Sequence, residues 1–467
     1  MKLFLLAFRS LIRNRRRTLS TIFAISIGLT TVLLFGGYRS NIIYSLETGL
    51  VQAEGHLQIQ ERNYFFSGQD NPIEYGISDY QQIMELIKND PVLSPMLVVM
   101  TPTLHLGGLI GNFSSGVSRS VLARGLVASD VNKMLDWNDY QMHSYATALP
   151  LKDENLDDVI VGEGVGRKLN LCEKFKLSNC VTVVKPAAKL GAAMPDDLSK
   201  LVDLGVQDAS AGASSAGDET KIEMLAATSG GAPNVVGLQI VATRNMGMKA
   251  LDDNYLLMNL NKAQKLTYGS SQPKVTSINL QLKQSSQIPA ATERLQNLLS
   301  TQFPEKNLAV LNFQELNPAY GQTVQFMNSI FGFISILIST IVLFTITSTM
   351  SNSIIERTVE IGTLRAIGLK RSELRTLFVF EGLQLGILGA LFGLILTSAT
   401  AYLVNHSGFT WIGPGYSYAY LILLRIWQDP VLLYGSVVGL VALTTLSALW
   451  PANRASRMLI VDALRHV

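Results

Sequence analysis

Chemistry-bearing residues are sparse in this sequence, and their spacing excludes most catalysis. Gly162, Gly164 and Gly166 stand just before Lys168 and resemble a phosphate cradle at first sight. Their spacing is neither G-x-G-x-x-G nor that of a P-loop, and no Ser or Thr follows Lys168, so they read as a structural turn. His56, His105, His143, His406 and His466 are scattered without metal-ligand spacing, so no metal centre is expected. No nucleotide-binding motif and no catalytic set of side chains is present, which predicts a non-catalytic chain with no cofactor of its own. The cysteines, Cys172 and Cys180, can close a short hairpin as a disulfide between adjacent strands if the compartment is oxidising. Two free buried thiols are the alternative, and the bridge is the expectation.

What remains is a charged segment whose chemistry is that of a contact. Residues 353–375 read SIIERTVEIGTLRAIGLKRSELR between two long apolar runs. Ile361, Leu364 and Ile367 recur at helical spacing and predict one apolar face, with Glu356, Arg357, Glu360 and Arg365 pointing elsewhere. Gly368 can end this helix in the left-handed conformation, and Ser372 can cap the next one. A short helix fixed between two membrane spans, with charges outward, is a docking surface.

Those apolar runs must position it. The chain is 48% hydrophobic and 16% charged, well under the charged quarter of a typical soluble protein, and its mean hydropathy is +0.26. Residues 18–38, 316–355, 382–424 and 430–453 contain no Asp, Glu, Lys or Arg. Each is long enough to cross a bilayer, which takes roughly 20 apolar residues. Lys2, Arg9, Arg13, Arg15, Arg16 and Arg17 precede the first run; Arg357, Arg365, Lys370, Arg371 and Arg375 lie between the second and third; Arg454, Arg457 and Arg465 follow the fourth. Basic residues mark the cytoplasmic side, so both termini are expected inside and residues 44–322 outside. The first run reads as an uncleaved anchor rather than a signal peptide, because no small-x-small cleavage site ends it. Before it, Phe4, Leu5, Phe8, Leu11 and Ile12 share a helical face, as in a helix lying on the inner leaflet. Gly382, Gly386, Gly389, Ala390 and Gly393 allow close helix packing in the third span. An internal packing face and a dimer seam fit that stripe equally. Glu381, at the entrance of the same span, reads as an interfacial anchor rather than a proton relay.

The outer segment is too long for a loop. Leu57 and Ile59 alternate as in a strand, Tyr80, Ile83, Met84 and Ile87 share a helical face, and a strand follows near 96–106. The same order returns with Ile278, Leu280 and Leu282, then Ile288, Ala291, Leu295, Leu298 and Leu299, then 308–313. Two strand–helix–strand units at 44–126 and 253–322 predict one split α+β domain, with a second subdomain, 127–252, inserted between them. DASAGASSAGDE and ATSGGAPN read as mobile insertion loops.

The run Glu356, Arg357, Glu360, Ile361, Gly362, Leu364, Arg365, Ala366, Ile367, Gly368 resembles the cytoplasmic coupling segment of FtsX-like ABC transporter permeases, the type VII superfamily of the MacB exporters and the lipoprotein-releasing Lol permeases. DVIVGEGVGRKLNL, the acidic pair Asp252 and Asp253, and the tail residues Arg454, Ala455, Asp462, Ala463, Leu464 and Arg465 also follow that family's order. The resemblance covers nearly the whole chain. It implies an α-helical membrane domain with four transmembrane helices, 18–43, 323–352, 374–405 and 430–453, joined by a coupling segment at 353–373 and an outer loop at 406–429. The flanks 1–17 and 454–467 are then cytoplasmic, and the α+β extracytoplasmic domain carries a porter-like part. It further implies a bacterial inner-membrane permease without a fused ATPase domain. Two copies of a separate ATPase subunit would bind ATP and Mg, and a second permease, identical or different, would complete a dimer. Lipoprotein or lipid-like cargo in the outer leaflet is the first expectation. Peptide or drug efflux through a periplasmic adaptor, or activation of an exterior hydrolase by an FtsX-type mechanotransmitter, are the alternatives. Membrane lipid is an implied partner and nucleic acid is not.

Overall fold

A computed structural model describes residues 2–13, 15–68, 71–112, 117–143, 145–180, 220–412 and 419–458. The chain divides into two compact units. One comprises Met1–Glu47, Pro318–Trp411 and Tyr420–Val467; the other comprises Thr48–Asn317 with Ile412–Ala419.

The second unit is built on nine hydrogen-bonded strands: β1 (Leu57–Glu61), β2 (Leu97–Asn112), β3 (Val117–Leu126), β4 (Asp158–Gly162), β5 (Lys221–Ala227), β6 (Pro233–Arg244), β7 (Tyr255–Asn259), β8 (Ser277–Leu282) and β9 (Leu308–Asn312). Strands β2, β8, β1 and β9 lie side by side in that order, each antiparallel to its neighbour. With the helices Tyr80–Lys88 and Ile288–Gln302, this is a split β-α-β arrangement. The two expected strand–helix–strand pieces therefore share one sheet, with Leu57 opposite Leu280 and also opposite Asn312. Both helices turn the expected residues inward: Tyr80, Ile83 and Ile87 on the first, Ala291, Leu295 and Leu299 on the second.

The remaining strands close a ring. From β2 the hydrogen bonds pass to β3, β7, β4, β6, β5 and back to β2. Pairs β3–β7 and β4–β6 are parallel and the others antiparallel. Alternation fills the ring: Ile222, Met224 and Ala226 of β5 are buried, while Lys221, Glu223, Leu225 and Ala227 face out. The ring draws on β2 and β3, which precede residue 127, and on β7, which follows residue 252. The sheet thus runs through the boundaries expected for the inserted subdomain, and one apolar core joins Leu57 and Val310 to Val161 and Leu256.

Two local expectations change, and a third is left untested. ATSGGAPN is an ordered hairpin turn joining β5 to β6: the Thr228 N–H donates to Ala232 O at 2.8 Å, and Gly231 has φ +81°. DASAGASSAGDE lies outside the described residues. Cys172 and Cys180 are disulfide-bonded with Cα atoms 6.2 Å apart, but not on adjacent strands. Cys172 opens a one-turn helix, Cys172–Phe175, and the chain turns back through Lys176 in the left-handed region at φ +51°.

The first unit is helical: α1 (Lys2–Arg13), α2 (Arg15–Glu54), α3 (Pro318–Glu356), α4 (Thr358–Ala366), α5 (Arg371–His406) and α6 (Pro430–Ser456). Helices α2, α3, α5 and α6 are long and apolar enough to cross a membrane. The glycine stripe is consumed inside this unit. A Cβ at Gly382 would stand 2.6 Å from Ala448 Cβ of α6, and one at Gly389 would stand 2.5 Å from Ile25 Cγ2 of α2. Gly386 faces Thr444 of α6, and Gly393 faces Leu29 of α2. Close approach also lets hydroxyls reach across: Ser26 Oγ donates to Gly389 O at 3.0 Å and Thr30 Oγ1 to Gly393 O at 3.2 Å. Such contacts, rather than hydrophobicity, hold helices together in lipid. Of the two readings of the stripe, this is the internal packing face.

Candidate functional site

The charged segment folds as the short helix α4 between α3 and α5. Arg357 alone interrupts the helical run, with φ −102° and ψ 13°. The end of α4 is set by Gly368 at φ +109°. There the Leu369 N–H donates to Leu364 O at 3.1 Å and the Gly368 N–H to Arg365 O at 3.1 Å, which satisfies carbonyls the helix would leave open. Helix α5 does not start at Ser372. Its N-cap is Lys370, two residues earlier, where the Glu373 carboxylate accepts the Lys370 N–H at 2.9 Å, so Ser372 lies inside the helix.

Each side chain of the segment now has a place. Ile361 is buried in a small core with Ile354, Leu374, Phe378, Ala452 and Ala455, which ties α4 to α3, α5 and α6. Burying each such side chain is worth about 1.5–3 kcal/mol. Gly362 is buried beside it. Leu364 is 41% exposed and Ile367 is 80% exposed, and Ala366 is exposed as well. Of the three residues expected to form one apolar face, only Ile361 packs inside the unit. Its partners are supplied by α3, α5 and α6.

Arg357 corrects a second expectation. It does not point outward with the other charges. Its Nη1 donates to Glu381 Oε1 at 3.0 Å and to Ser10 Oγ at 2.8 Å, and its Nη2 donates to Ser10 O at 3.0 Å. Ser10 Oγ also donates to Glu381. The side chains of Arg357 and Glu381 are 10% and 2% exposed. Glu381 is therefore no headgroup anchor: it is the buried counter-ion of Arg357, and the hydroxyl of α1 completes the cluster. The Arg357 Nε faces no acceptor. A cavity of about 20 Å³, lined by Arg17, Thr21, Ser353, Arg357 and Glu381 among others, has room there for roughly one water.

The outward carboxylates are engaged within the unit. Arg13 Nη2 donates to both oxygens of Glu360, at 2.5 and 2.6 Å, and this bifurcated hydrogen bond, with the charge of Glu360, holds the Arg13 pKa above its ordinary value. Arg17 pairs with Glu356, and Arg365 donates to the carbonyl of Met458. Sequence reasoning missed Ser10, Arg13 and Arg17. A signal for the two arginines was present, since they are four residues apart and so are Glu356 and Glu360, which is the spacing of two matched rows. Phe4 O accepts from Gln384 Nε2 at 2.9 Å, which fixes the far end of α1 to α5.

In the sheet unit, the glycines near Lys168 meet the acidic pair rather than a ligand. A Cβ at Gly162 would stand 2.8 Å from the backbone carbon of Asp252, and one at Gly164 the same distance from Asp252 O. Lys168 Nζ donates to Asp253 O at 3.2 Å. This is a close backbone approach that side chains would block. Among the described residues no cluster of His, Cys, Asp and Glu could hold a metal ion.

The FtsX-like permease C-terminal family matches residues 332–460, the stretch from within α3 through α4, α5 and α6. An uncharacterized ABC transporter permease of Methanocaldococcus jannaschii is 25% identical over 225 residues, which cover 46% of this chain and 51% of that protein. The macrolide export ATP-binding/permease protein MacB of Brucella abortus is 30% identical over 193 residues, 41% of this chain and 27% of that protein. The lipoprotein-releasing system transmembrane protein LolE of Haemophilus influenzae is 24% identical over 221 residues, 44% of this chain and 50% of that protein. The chain spans about half the length of the M. jannaschii relative and less than a third of that MacB. Among solved structures, the periplasmic region of MacB from Actinobacillus actinomycetemcomitans aligns with 58% of this chain and 94% of its own, at 9% identity and TM-score 0.31. Four membrane-length helices, with a match over residues 332–460 that takes in α4, make this chain a membrane protein that carries an FtsX-like permease C-terminal domain.

Proposed function

We propose that the chain is the permease subunit of an ABC transporter, with α4 as the helix that receives a separate ATPase. The observation that carries this reading is the way α4 is held. Its base is fixed by Ile361 in an apolar core and by the buried Arg357–Glu381 pair, while Leu364 and Ile367 stand exposed towards its C-terminal end. A rigid base with an apolar tip suits an element that transmits a push. ATP and Mg belong to the ATPase in this reading, two ATPases act on two permeases, and the chain itself performs no catalysis. The basic residues around α1, α4 and the end of α6 support a cytoplasmic placement of these elements in an inner membrane, with residues 48–317 on the outer side.

Lipoprotein or lipid-like cargo, moved on the outer side, is the favoured substrate class, and the LolE relative supports it. Efflux of small molecules or peptides is the second reading, favoured by the 30% identity to MacB. The test is co-purification of ATPase from native membranes with Ile367→Asp or Leu364→Asp. Both positions are exposed, so the permease should accumulate and fold as the parent does while ATPase recovery falls. Undiminished ATPase in both variants would remove α4 as the docking element. Lipoprotein or lipid in the parent eluate would separate the two cargo classes.

A further inference from the structure

We infer that the elbow between α1 and α2 binds the headgroup of an anionic phospholipid. The arginines of this elbow fall into two sets. Arg13 and Arg17 turn inward and hold Glu360 and Glu356. Arg9, Arg15 and Arg16 are exposed, and none of them forms an ion pair with a described residue. The second set borders apolar rows that this unit leaves uncovered. On α1, Ala7 and Leu11 face the protein, while Leu5, Phe8 and Ile12 are exposed on the other side. On α2, Leu19, Phe23 and Ile27 are exposed in successive turns, and Arg15 continues that row one turn before Leu19.

This order, a guanidinium followed by an apolar row, matches a phosphate followed by an acyl chain. Arginine binds phosphate oxygens in a bidentate fork. A soluble anion would use the arginines but would leave the apolar rows without a partner, so the occupant we assign is a lipid. Its effect would reach further than α1. The elbow that the lipid steadies is the one whose Ser10 and Arg13 on α1 and Arg17 on α2 hold Arg357, Glu360 and Glu356, so the charge of the leaflet would help to set the position of α4.

The inference takes from the proposed function only the placement of this elbow at a membrane surface. The test uses the full chain in nanodiscs of mixed phosphatidylglycerol and phosphatidylcholine, with retained lipid counted by native mass spectrometry. The variants are a triple change, Arg9→Gln with Arg15→Gln and Arg16→Gln, and a control pair, Arg454→Gln with Arg457→Gln. Each arginine near an anionic surface contributes about fivefold in affinity, so the triple variant should retain phosphatidylglycerol on the order of a hundredfold more weakly. The parent and the control pair should keep it. The proposal is overturned if the triple variant retains the lipid as the parent does, if the control pair loses it equally, or if inorganic phosphate displaces it. No ATPase is present in the assay, so a failure here leaves the permease reading standing.

Discussion

Replacing Glu381 by Leu should be among the most damaging single changes in the helical unit. The carboxylate accepts from Arg357 Nη1 and from Ser10 Oγ, and it is 2% exposed. Its loss would leave the Arg357 guanidinium charged, with a side chain only 10% exposed. Ser10 O and Oγ would be its remaining partners. Removing one member of a buried pair costs about 3–5 kcal/mol, chiefly because the other charge stays buried without compensation. The double change Arg357→Met with Glu381→Leu removes both charges and should return to within about 1 kcal/mol of the parent. Arg357→Met alone strands the Glu381 carboxylate and should cost a similar amount, so the cycle should report an interaction of at least about 5 kcal/mol between the two sites. Reversible unfolding in mixed micelles, followed by the fluorescence of Trp427 and Trp450, supplies the four free energies. A single change costing less than about 1 kcal/mol, or an additive double change, would refute the idea that this pair fixes the base of α4.

Gly386→Val places a side chain against Thr444 of α6 and should destabilise the same unit by about 1–3 kcal/mol; an unchanged unfolding midpoint would contradict the packing role. Burial lowers the pKa of His56 to about 4, so the folded state keeps it neutral where the unfolded chain, near 6.5, takes a proton. Stability from this residue is full above pH 6.5 and is lost as the pH falls towards 4, by about 3 kcal/mol in all. His56→Gln should flatten that slope, and an unaltered pH profile would exclude the residue as its source. Reduction should release two alkylatable thiols, from Cys172 and Cys180, where the untreated protein offers none. The loss of stability should be about 2.5 kcal/mol, at the low end for a disulfide, since the closed loop is short.

Elements with a fixed period were legible in the sequence. Ile278, Leu280 and Leu282 at every second residue gave β8, and Ala291, Leu295 and Leu299 gave the helix beside it, because core-facing side chains recur with the geometry of the backbone. Closure of the ring was not legible. It depends on β3 meeting β7 and β4 meeting β6 in parallel, and periodicity says which face is buried, never which strand is the neighbour. Arg357 was misplaced for a similar reason. Beside Glu356 it looks like one more surface charge, and only Glu381 and Ser10, remote in sequence, create the pocket that draws it inward. The disulfided residues were readable as a pair, but their backbone was not, because the left-handed turn at Lys176 carries no glycine to announce it.

The ring in the sheet unit has a consequence for how this unit can recognise extended chains. A strand with unpaired N–H and C=O groups on one side invites another strand to add there. Within the ring, β3, β4, β5, β6 and β7 each have a neighbour on both sides, which leaves an incoming peptide only short stretches, such as β3 before Leu122 and β6 before Gln239. The outer side of β9 is open among the described strands, as is the first half of β2, which pairs only with β8 up to Thr103. The ring also offers side chains for contact, in its outward row of Leu109, Leu225 and Val235, which are in register across β2, β5 and β6. Recognition there would depend on shape and apolar area rather than on backbone pairing, which makes it tolerant of sequence in whatever it touches.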